Sequence, residues 1–383
     1  MTETISNTTA PNKVRLGGLD LLRVFAMLLI TLSHIVPSIT SSYYSGINTE
    51  IMFLVDVTLR ATGQWGNILF IVISFWFLLD SKRFKTSKFL ALIINTVICL
   101  WLGIAIAFIY DSFTGEKIAP WGFSDWKRIF FPISSEWYWF LAIYSIIYIV
   151  HPLLNKAIES MNQKTHFTLA LFLFLLVGVV HKFFFLWHMI LGFVMIYFVV
   201  GYFKKYPTRI HDSILWNLLI AISTILLLYP LVYLYHLWVD NGAYYNSPSE
   251  ILVLWSSFIF VIFGLSMLNI FRNIKINNKI LSKLASASLT NYVLANNGYL
   301  VTIIIITFFD KMILPTFGTD YILLWWLLVN LGYFIVASIV TLIYAETIQK
   351  LVTKISVILG NLIEKLYDKF YQRFIAKKEQ NLE

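Results

Sequence analysis

The stretch FLALIINTVICLWLGIAIAFIY, from Phe89 to Tyr110, decides the fold class, because it contains no charged side chain. A helix needs ~20 residues to cross the hydrocarbon core of a bilayer, and this run is long enough. Nine further apolar runs occur along the chain: Leu19 to Pro37, Trp65 to Leu79, Trp137 to Leu154, Phe167 to Val180, Phe183 to Phe203, Ile214 to Leu237, Ile251 to Phe271, Leu289 to Phe309 and Tyr321 to Tyr344. A shorter piece from Ile51 to Ala61 is predicted to be re-entrant or interfacial. The sequence therefore predicts an all-α, polytopic transmembrane helix bundle of about ten spans.

Composition and charge agree with a membrane protein. The chain is 59% apolar and 13% charged, with a mean hydropathy of +0.76, which is too apolar for a water-soluble globule. A net charge of +9 would suggest a nucleic-acid partner in a soluble protein, but 23 of the 29 lysines and arginines fall on one side of the predicted membrane. The positive-inside rule assigns that side to the cytoplasm, so we predict both termini there and no nucleic-acid partner. The single cysteine, Cys99, lies in an apolar run, and no metal site is predicted.

The chain divides into three predicted parts. Residues 1–18 form a disordered cytoplasmic lead, residues 19–344 form the transmembrane domain, and residues 345–383 form a cytoplasmic tail. Apolar residues recur in the tail at helical spacing among lysines, at Leu351, Ile355, Ile358, Leu362, Leu366 and Phe370. This pattern predicts a basic amphipathic helix that lies on the lipids of the inner leaflet. Docking into the groove of a soluble partner is the alternative.

The first apolar run carries three ionisable side chains, Asp20, Arg23 and His34. In a helix, the eleven steps from Arg23 to His34 return to within ~20° of the same face and advance ~16 Å into the membrane. Ionisable groups are costly there, so each suggests a function. The alternatives are an Asp20–Arg23 pair at the interface and a histidine packed between helices. A neutral imidazole accepts a proton from a hydroxyl near neutral pH, which favours a catalytic His34.

Two motifs carry a family resemblance. The first is Gly18-Leu19-Asp20 followed by Arg23 and, after ten residues, His34. The second is the segment Trp137-Tyr138-Trp139-Phe140-Leu141, in a run that closes with Pro152-Leu153-Leu154. Together, from Gly17 to about Tyr344, they resemble the acyltransferase 3 family of integral membrane enzymes, which acylate, usually acetylate, hydroxyls of cell-envelope glycans.

The resemblance implies a donor side. His34 matches the family's essential histidine and Arg23 its paired arginine, both expected to be catalytic. Acyl-CoA, most commonly acetyl-CoA, is the implied co-substrate, and no permanently bound cofactor is expected. The expected donor-binding residues are Asp20, Lys82, Arg83, Lys85 and Lys88. Where the family tends to have Arg-x-x-Arg, this chain has Lys85 and Lys88, which keep the charge but lose the planar fork that grips phosphate. Ordinary positive-inside charge is their alternative role.

The expected acceptor-binding residues are Glu136, Trp137, Tyr138, Asn296 and Asn297. Sugar stacking on the two aromatic residues competes with a place in the interfacial aromatic belt. In the ninth span the family often has Tyr-Leu-x-His-Pro, whereas this chain reads Tyr292-Val293-Leu294-Ala295-Asn296. The missing histidine is dispensable, is replaced by Asn296 or Asn297, or is absent from a relative without full activity. Interhelical hydrogen bonds, ~0.6 kcal/mol each, are the structural alternative for the asparagines.

The implied function is transfer of an acyl group to a hydroxyl of a glycan or lipid-linked glycan at a bacterial plasma membrane. His34 acts either as a general base or as an acyl relay, and both remain open at this point. A glycan exporter is the rival from another class, because polar residues along a membrane path also describe a permeation route. A non-catalytic relative of the family is the second rival.

Overall fold

The computed structural model describes residues 17–35, 49–120, 122, 129–131, 138–179, 188–239, 256–318 and 321–380. These residues form helices and no strand. The helices are α1 (Gly17–His34), α2 (Thr49–Leu78), α3 (Thr86–Thr114), α4 (Trp139–Ser160), α5 (Gln163–Leu173, continued by a π-helix to Val179), α6 (His188–Lys205), α7 (Ile214–Val239), α8 (Phe258–Arg272), α9 (Lys279–Ser286), α10 (Ser288–Ala295), α11 (Gly298–Ile304, continued to Phe317), α12 (Ile322–Glu346) and α13 (Ile348–Gln380). The prediction of an all-α fold is confirmed.

Seven helical segments in the described part of the chain are long and apolar enough to cross a membrane. They are α1, residues 61–78 of α2, α3, α4, residues 214–234 of α7, residues 298–317 and α12. The predicted spans 167–180, 183–203 and 251–271 correspond to α5, α6 and α8, which are not among the seven. The protein is therefore a multi-pass membrane protein, while the count of ten and the cytoplasmic position of the termini stay predictions.

Two predicted boundaries were wrong. The piece from Ile51 to Ala61 is the first part of α2, since no proline separates it from the following span. The predicted run from Leu289 to Phe309 is divided into α10 and α11 at Asn296 and Asn297. Hydropathy does not reveal such a division, because the asparagines lie between strongly apolar residues.

Helix α1 lies in the middle of the bundle, where it packs against α2, α8, α9, α10 and α12. Its buried face is apolar and includes Leu19, Leu22, Ala26 and Ile30. Contacts with five other helices therefore fix the position of α1 in the bundle.

The tail forms α13, which packs along the first turns of α3. The contact uses three small residues of α13 that are all buried, Val352, Ser356 and Gly360. A Cβ atom at Gly360 would lie 2.9 Å from the backbone nitrogen of Ser87, so the two helices touch closely there. The six apolar residues that predicted the amphipathic helix, Leu351, Ile355, Ile358, Leu362, Leu366 and Phe370, remain exposed. Attachment of this face to the inner leaflet stays a prediction.

Candidate functional site

The N-terminal end of α1, which the sequence predicts to be its inner end, is fixed by close packing. A Cβ atom at Gly18 would overlap the carbonyl oxygen of Phe271, at the end of α8, and one at Gly17 would overlap that of Ile276. Only glycine permits this approach of helix and backbone. The contact sets the position of the two ionisable side chains that follow, Asp20 and Arg23.

Asp20 and Arg23 both reach α9. Asp20 is 4% exposed, and the Ser282 hydroxyl donates a hydrogen bond to its Oδ2 at 3.0 Å. Arg23 Nη1 donates to the carbonyl oxygen of Ala285 at 3.4 Å, and its guanidinium lies 5.2 Å from the centre of the Phe77 ring. A buried charge is tolerated only where such partners compensate its lost hydration. The inner end of α1 is therefore a built polar site.

The four predicted donor cations lie between α2 and the first turn of α3, and Lys82, Arg83, Lys85 and Lys88 are all exposed. The base of this segment is held by Asn155, whose Nδ2 donates to the carbonyl oxygens of Leu78 at 3.2 Å and Ser81 at 2.9 Å. The Tyr197 hydroxyl donates in turn to Asn155 Oδ1 at 2.6 Å. The segment is thus anchored while its cationic groups project outward.

Lys88 also lines a cleft of about 180 Å³ between α3, α10 and the start of α13. The cleft runs from exposed Lys88 to Thr96, Thr290 and Val293, which are buried. Of the four predicted donor cations, Lys88 is the one that the structure connects to this interior space. The cleft leads towards the break between α10 and α11.

His34 is the last residue of α1, and its side chain is exposed. Its Nδ1 lies 2.7 Å from the carbonyl oxygen of Ile30 and 3.3 Å from the Ser33 hydroxyl. Because a carbonyl cannot donate, Nδ1 carries the proton, and the neutral ring keeps its lone pair on Nε2. α1 is unbroken from Arg23 to His34, so the two are separated by ~16 Å along the helix.

The break between α10 and α11 uses the two predicted asparagines differently. Asn297 caps α11, since its Oδ1 accepts from the backbone nitrogen of Tyr299 at 3.1 Å, and a side chain at Gly103 would overlap its amide. Asn296 Nδ2 donates to the Tyr292 carbonyl at 2.8 Å. Its Oδ1 is buried and has no hydrogen-bond partner among the described residues. Asn297 therefore has a structural role, and Asn296 keeps an acceptor available.

Tyr138 lies in the interior and not at an exposed surface. It is fully buried, its hydroxyl donates to the Val293 carbonyl at 3.3 Å, and its ring packs against Tyr292 at 6.4 Å. Of the other predicted acceptor residues, Glu136 and Trp137 lie outside the described residues. The structure therefore brings Tyr138 to α10, the helix that Asn296 follows directly.

One feature near Arg23 was missed at the sequence level. Along α4, the rings of Phe140, Tyr144, Tyr148 and His151 stack in order, with centroids 5.9, 6.2 and 5.4 Å apart. Arg23 is close enough to Tyr144 to interact with it electrostatically. The spacing of these aromatic residues, by four, four and three, places them on one helix face and was a usable signal.

No group of three or more His, Cys, Asp or Glu side chains that could hold a metal ion occurs in the part of the chain that the structure describes. The site groups that are present are the ionisable side chains Asp20 and Arg23 at the start of α1, a cleft that opens at Lys88, and a histidine with an available nitrogen at the end of α1. These groups suit acid–base and anion-binding chemistry.

Neither the curated proteins nor the solved structures gave a match to this chain. A family model described as an acyltransferase domain matches residues 16–345 of the 383-residue chain. The match runs from α1 to the end of α12 and includes Arg23, His34 and the break at Asn296. The chain therefore belongs to the acyltransferase 3 family.

Proposed function

We propose that this acyltransferase is an O-acetyltransferase that moves an acetyl group from cytoplasmic acetyl-CoA to a hydroxyl of an envelope glycan or lipid-linked glycan. Family membership supports the acyl transfer, and the seven apolar spans support the membrane setting. The observation that carries the proposal is the bond between His34 Nδ1 and the Ile30 carbonyl, because it leaves Nε2 as the basic nitrogen. A bacterial plasma membrane is the proposed location.

His34 has two possible roles in this reaction. As a general base, Nε2 takes the proton of the acceptor hydroxyl while that oxygen attacks the thioester carbonyl. The carbon–sulfur bond then breaks, and the CoA thiolate takes up a proton. As a relay, Nε2 attacks the thioester carbonyl and the carbon–sulfur bond breaks, which releases the CoA thiolate. In the second step the acceptor hydroxyl attacks the acetyl group, the carbon–nitrogen bond breaks, and the hydroxyl proton passes to the freed Nε2 or to the thiolate. Both roles need the same nitrogen.

The inner end of α1 supplies the donor side of the proposal. CoA is anionic, so the exposed cations Lys82, Arg83, Lys85 and Lys88 suit its phosphates. Arg23 adds a positive charge further inside the bundle, close to Phe77 and Tyr144. A positive inner face and a basic nitrogen ~16 Å further along α1 fit transfer from the cytoplasm into the membrane.

A glycan exporter is the second candidate, and the division between α10 and α11 favours it. Broken helices with polar residues near the break are typical of transporter binding sites. A relative without catalytic activity is the third, since Ala295 stands where the family often has histidine and is fully buried.

Purified full-length protein in lipid nanodiscs is incubated with radiolabelled acetyl-CoA, with and without envelope glycans, as wild type, His34→Ala and the neighbouring control Ser33→Ala. Label transfer that is lost in His34→Ala and kept in Ser33→Ala supports the enzyme. Glycan flux across proteoliposomes without labelling supports the exporter. Absence of both transfer and flux supports the non-catalytic relative.

A further inference from the structure

We propose that the cleft between α3, α10 and α13 holds the flexible pantetheine arm of acetyl-CoA, and that Gln349 of the tail is one of its hydrogen-bond partners. The inference rests on the proposed function, because it concerns the donor of that reaction. Gln349 lies after residue 345, where the family match ends.

The position of the cleft suits a linear chain that enters from the basic segment. Lys88 is exposed at one end, whereas Thr96 and Val293 at the other are 1% and 2% exposed. The eight residues from Lys88 to Thr96 correspond to ~12 Å of helix. Val293 is also the residue whose carbonyl accepts from Tyr138, one turn before Asn296. A chain lying in the cleft therefore points from the cytoplasmic cations into the bundle.

The lining combines the two kinds of contact that a pantetheine arm requires. Leu92, Leu289 and Val293 supply apolar surface for its methylene groups. Thr290, Ser286 and Gln349 supply polar atoms for its two amide groups. A purely lipidic occupant would leave the buried Oε1 of Gln349 without a partner, which is unfavourable.

Of the polar residues that line the cleft, Gln349 has a side-chain oxygen that is available to accept a hydrogen bond. Its Oε1 is buried and accepts no hydrogen bond from the residues that the structure describes. By contrast, Asn95 Oδ1 already accepts from the Tyr344 hydroxyl at 2.8 Å, and the Thr96 hydroxyl donates to the Leu92 carbonyl at 2.8 Å. A buried acceptor without a donor costs about 1–3 kcal/mol. An amide N–H of the arm would supply that donor.

The packing of α13 holds Gln349 in this position. The Tyr344–Asn95 hydrogen bond and the contact of Gly360 with Ser87 attach the chain to α3 on both sides of Gln349 along the sequence. Since position 344 contacts position 95 and position 360 contacts position 87, α13 runs opposite to α3. The tail is thus a wall of the cleft as well as an extension of the last span.

Charges near the mouth favour a phosphate group at Lys88. Lys283 and Lys350 do not line this cleft, and both are paired with one carboxylate, Glu346, at 2.6 and 2.5 Å. Lys88 and Lys85 are exposed at the α3 side. Lys88 is the cation among the residues that line the cleft, so the nucleotide phosphates of CoA would lie beside it when the arm is inserted.

The test compares two ligands on full-length protein in nanodiscs: acetyl-CoA, and adenosine 3′,5′-bisphosphate, which carries nucleotide phosphates but no arm. Ala91 lines the cleft, so Ala91→Trp should fill it and weaken acetyl-CoA binding at least tenfold, with bisphosphate binding changed less than twofold. The matched control is Ala105→Trp on the exposed side of the same helix, which should change neither. Unchanged acetyl-CoA affinity in Ala91→Trp, or equal loss for both ligands, overturns the proposal.

Gln349→Leu tests the hydrogen bond without filling the cleft. Loss of one such bond predicts a threefold to tenfold weaker affinity for acetyl-CoA, which corresponds to about 0.6–1.4 kcal/mol, and an unchanged affinity for the bisphosphate. Asn361→Leu, at an exposed position of the same helix, is the control. Equal affinities in Gln349→Leu and wild type remove Gln349 from the proposal.

A labelling experiment covers the case in which Ala91→Trp does not fold. Cys99 is the single cysteine of the chain and is buried, so Ala91→Cys introduces a distinct accessible thiol. Acetyl-CoA should slow its alkylation by a maleimide, and the bisphosphate should not. If the protein binds acetyl-CoA but the alkylation rate stays unchanged, the arm does not lie in the cleft, and this inference alone is overturned. Wild-type protein that binds no acetyl-CoA overturns the proposed function together with the cleft.

Discussion

The two ends of α1 differ in how their ionisable groups are held. At the inner end, Asp20 is buried, bonded to Ser282 and fixed by glycine contacts with the end of α8. At the C-terminal end, which is predicted to be the outer end, the His34 ring is exposed and held through one nitrogen by a backbone carbonyl of its own helix. The first end therefore contributes packing and buried charge to the fold, whereas the second end presents a ring nitrogen that forms no hydrogen bond with the residues that the structure describes. Substitutions should therefore change stability at the first and activity at the second.

The largest expected effect is at the outer end. His34→Ala should lower acetyl transfer at least 100-fold, because a general base contributes typically 10²–10⁴-fold. Its thermal unfolding should stay within about 1 °C of wild type, since the side chain is exposed. Single-turnover transfer and unfolding in the same detergent measure both. A variant that loses activity only because it unfolds would remove the contrast between the two ends.

The second effect is at the inner end. Gly18→Ala should destabilise the protein by about 1–3 kcal/mol, because the added carbon overlaps the Phe271 carbonyl and α1 must shift. Gly332→Ala in α12 is the control, since nothing lies within 4 Å of its added carbon. That control should be neutral or stabilising by up to about 1 kcal/mol. Equal denaturation midpoints for both variants would contradict the close contact.

A smaller loss is expected from the Asp20 partner. Ser282→Ala should cost about 1.5 kcal/mol, the low end for a hydrogen bond to a charged group, because the Ser282 bond to Asp20 is only partly buried. Ser286→Ala, four residues later and exposed, should change the free energy of unfolding by less than about 0.5 kcal/mol. Chemical unfolding compares the two. A similar effect of both serines would mean that the Asp20 contact contributes no stability.

The smallest effect concerns Arg23. Arg23→Lys keeps the charge but loses the planar group over Phe77, so it should cost about 0.5–1 kcal/mol of stability. Arg23→Ala, by contrast, should weaken acetyl-CoA binding more than acceptor binding. Titration of each variant with each ligand measures the difference. Unchanged acetyl-CoA affinity in Arg23→Ala would separate Arg23 from the donor side.

The part of the fold that hydropathy governs was predictable, and the part that rests on individual polar contacts was not. The helix from Gly17 to His34 and its polar stripe followed from apolar run length and helical spacing. The division at Asn297 did not, because it depends on a cap and on space left by Gly103. In the tail, apolar periodicity predicted the helix, but the face that packs on α3 consists of Val352, Ser356 and Gly360, which hydropathy does not mark.

The candidate site shows the same limit. His34 and Arg23 were found from their spacing within one helix. Ser282 was not, because it lies 262 residues from Asp20 along the chain. Gln349 carried no signal either, since a single polar residue at the start of a tail has no periodic pattern. Partners distant in sequence become visible only when the bundle is assembled.

The contact made by Gly360 limits where the chain can be shortened or joined to a relative. The family domain ends at residue 345, but the helix that reaches Ser87 through Gly360 begins after it. A protein shortened at the family boundary would expose the first turns of α3 and lose Gln349. Chimeras that exchange acyltransferase domains between relatives should therefore be joined after Gly360, so that α3 and the part of α13 that packs on it come from the same parent.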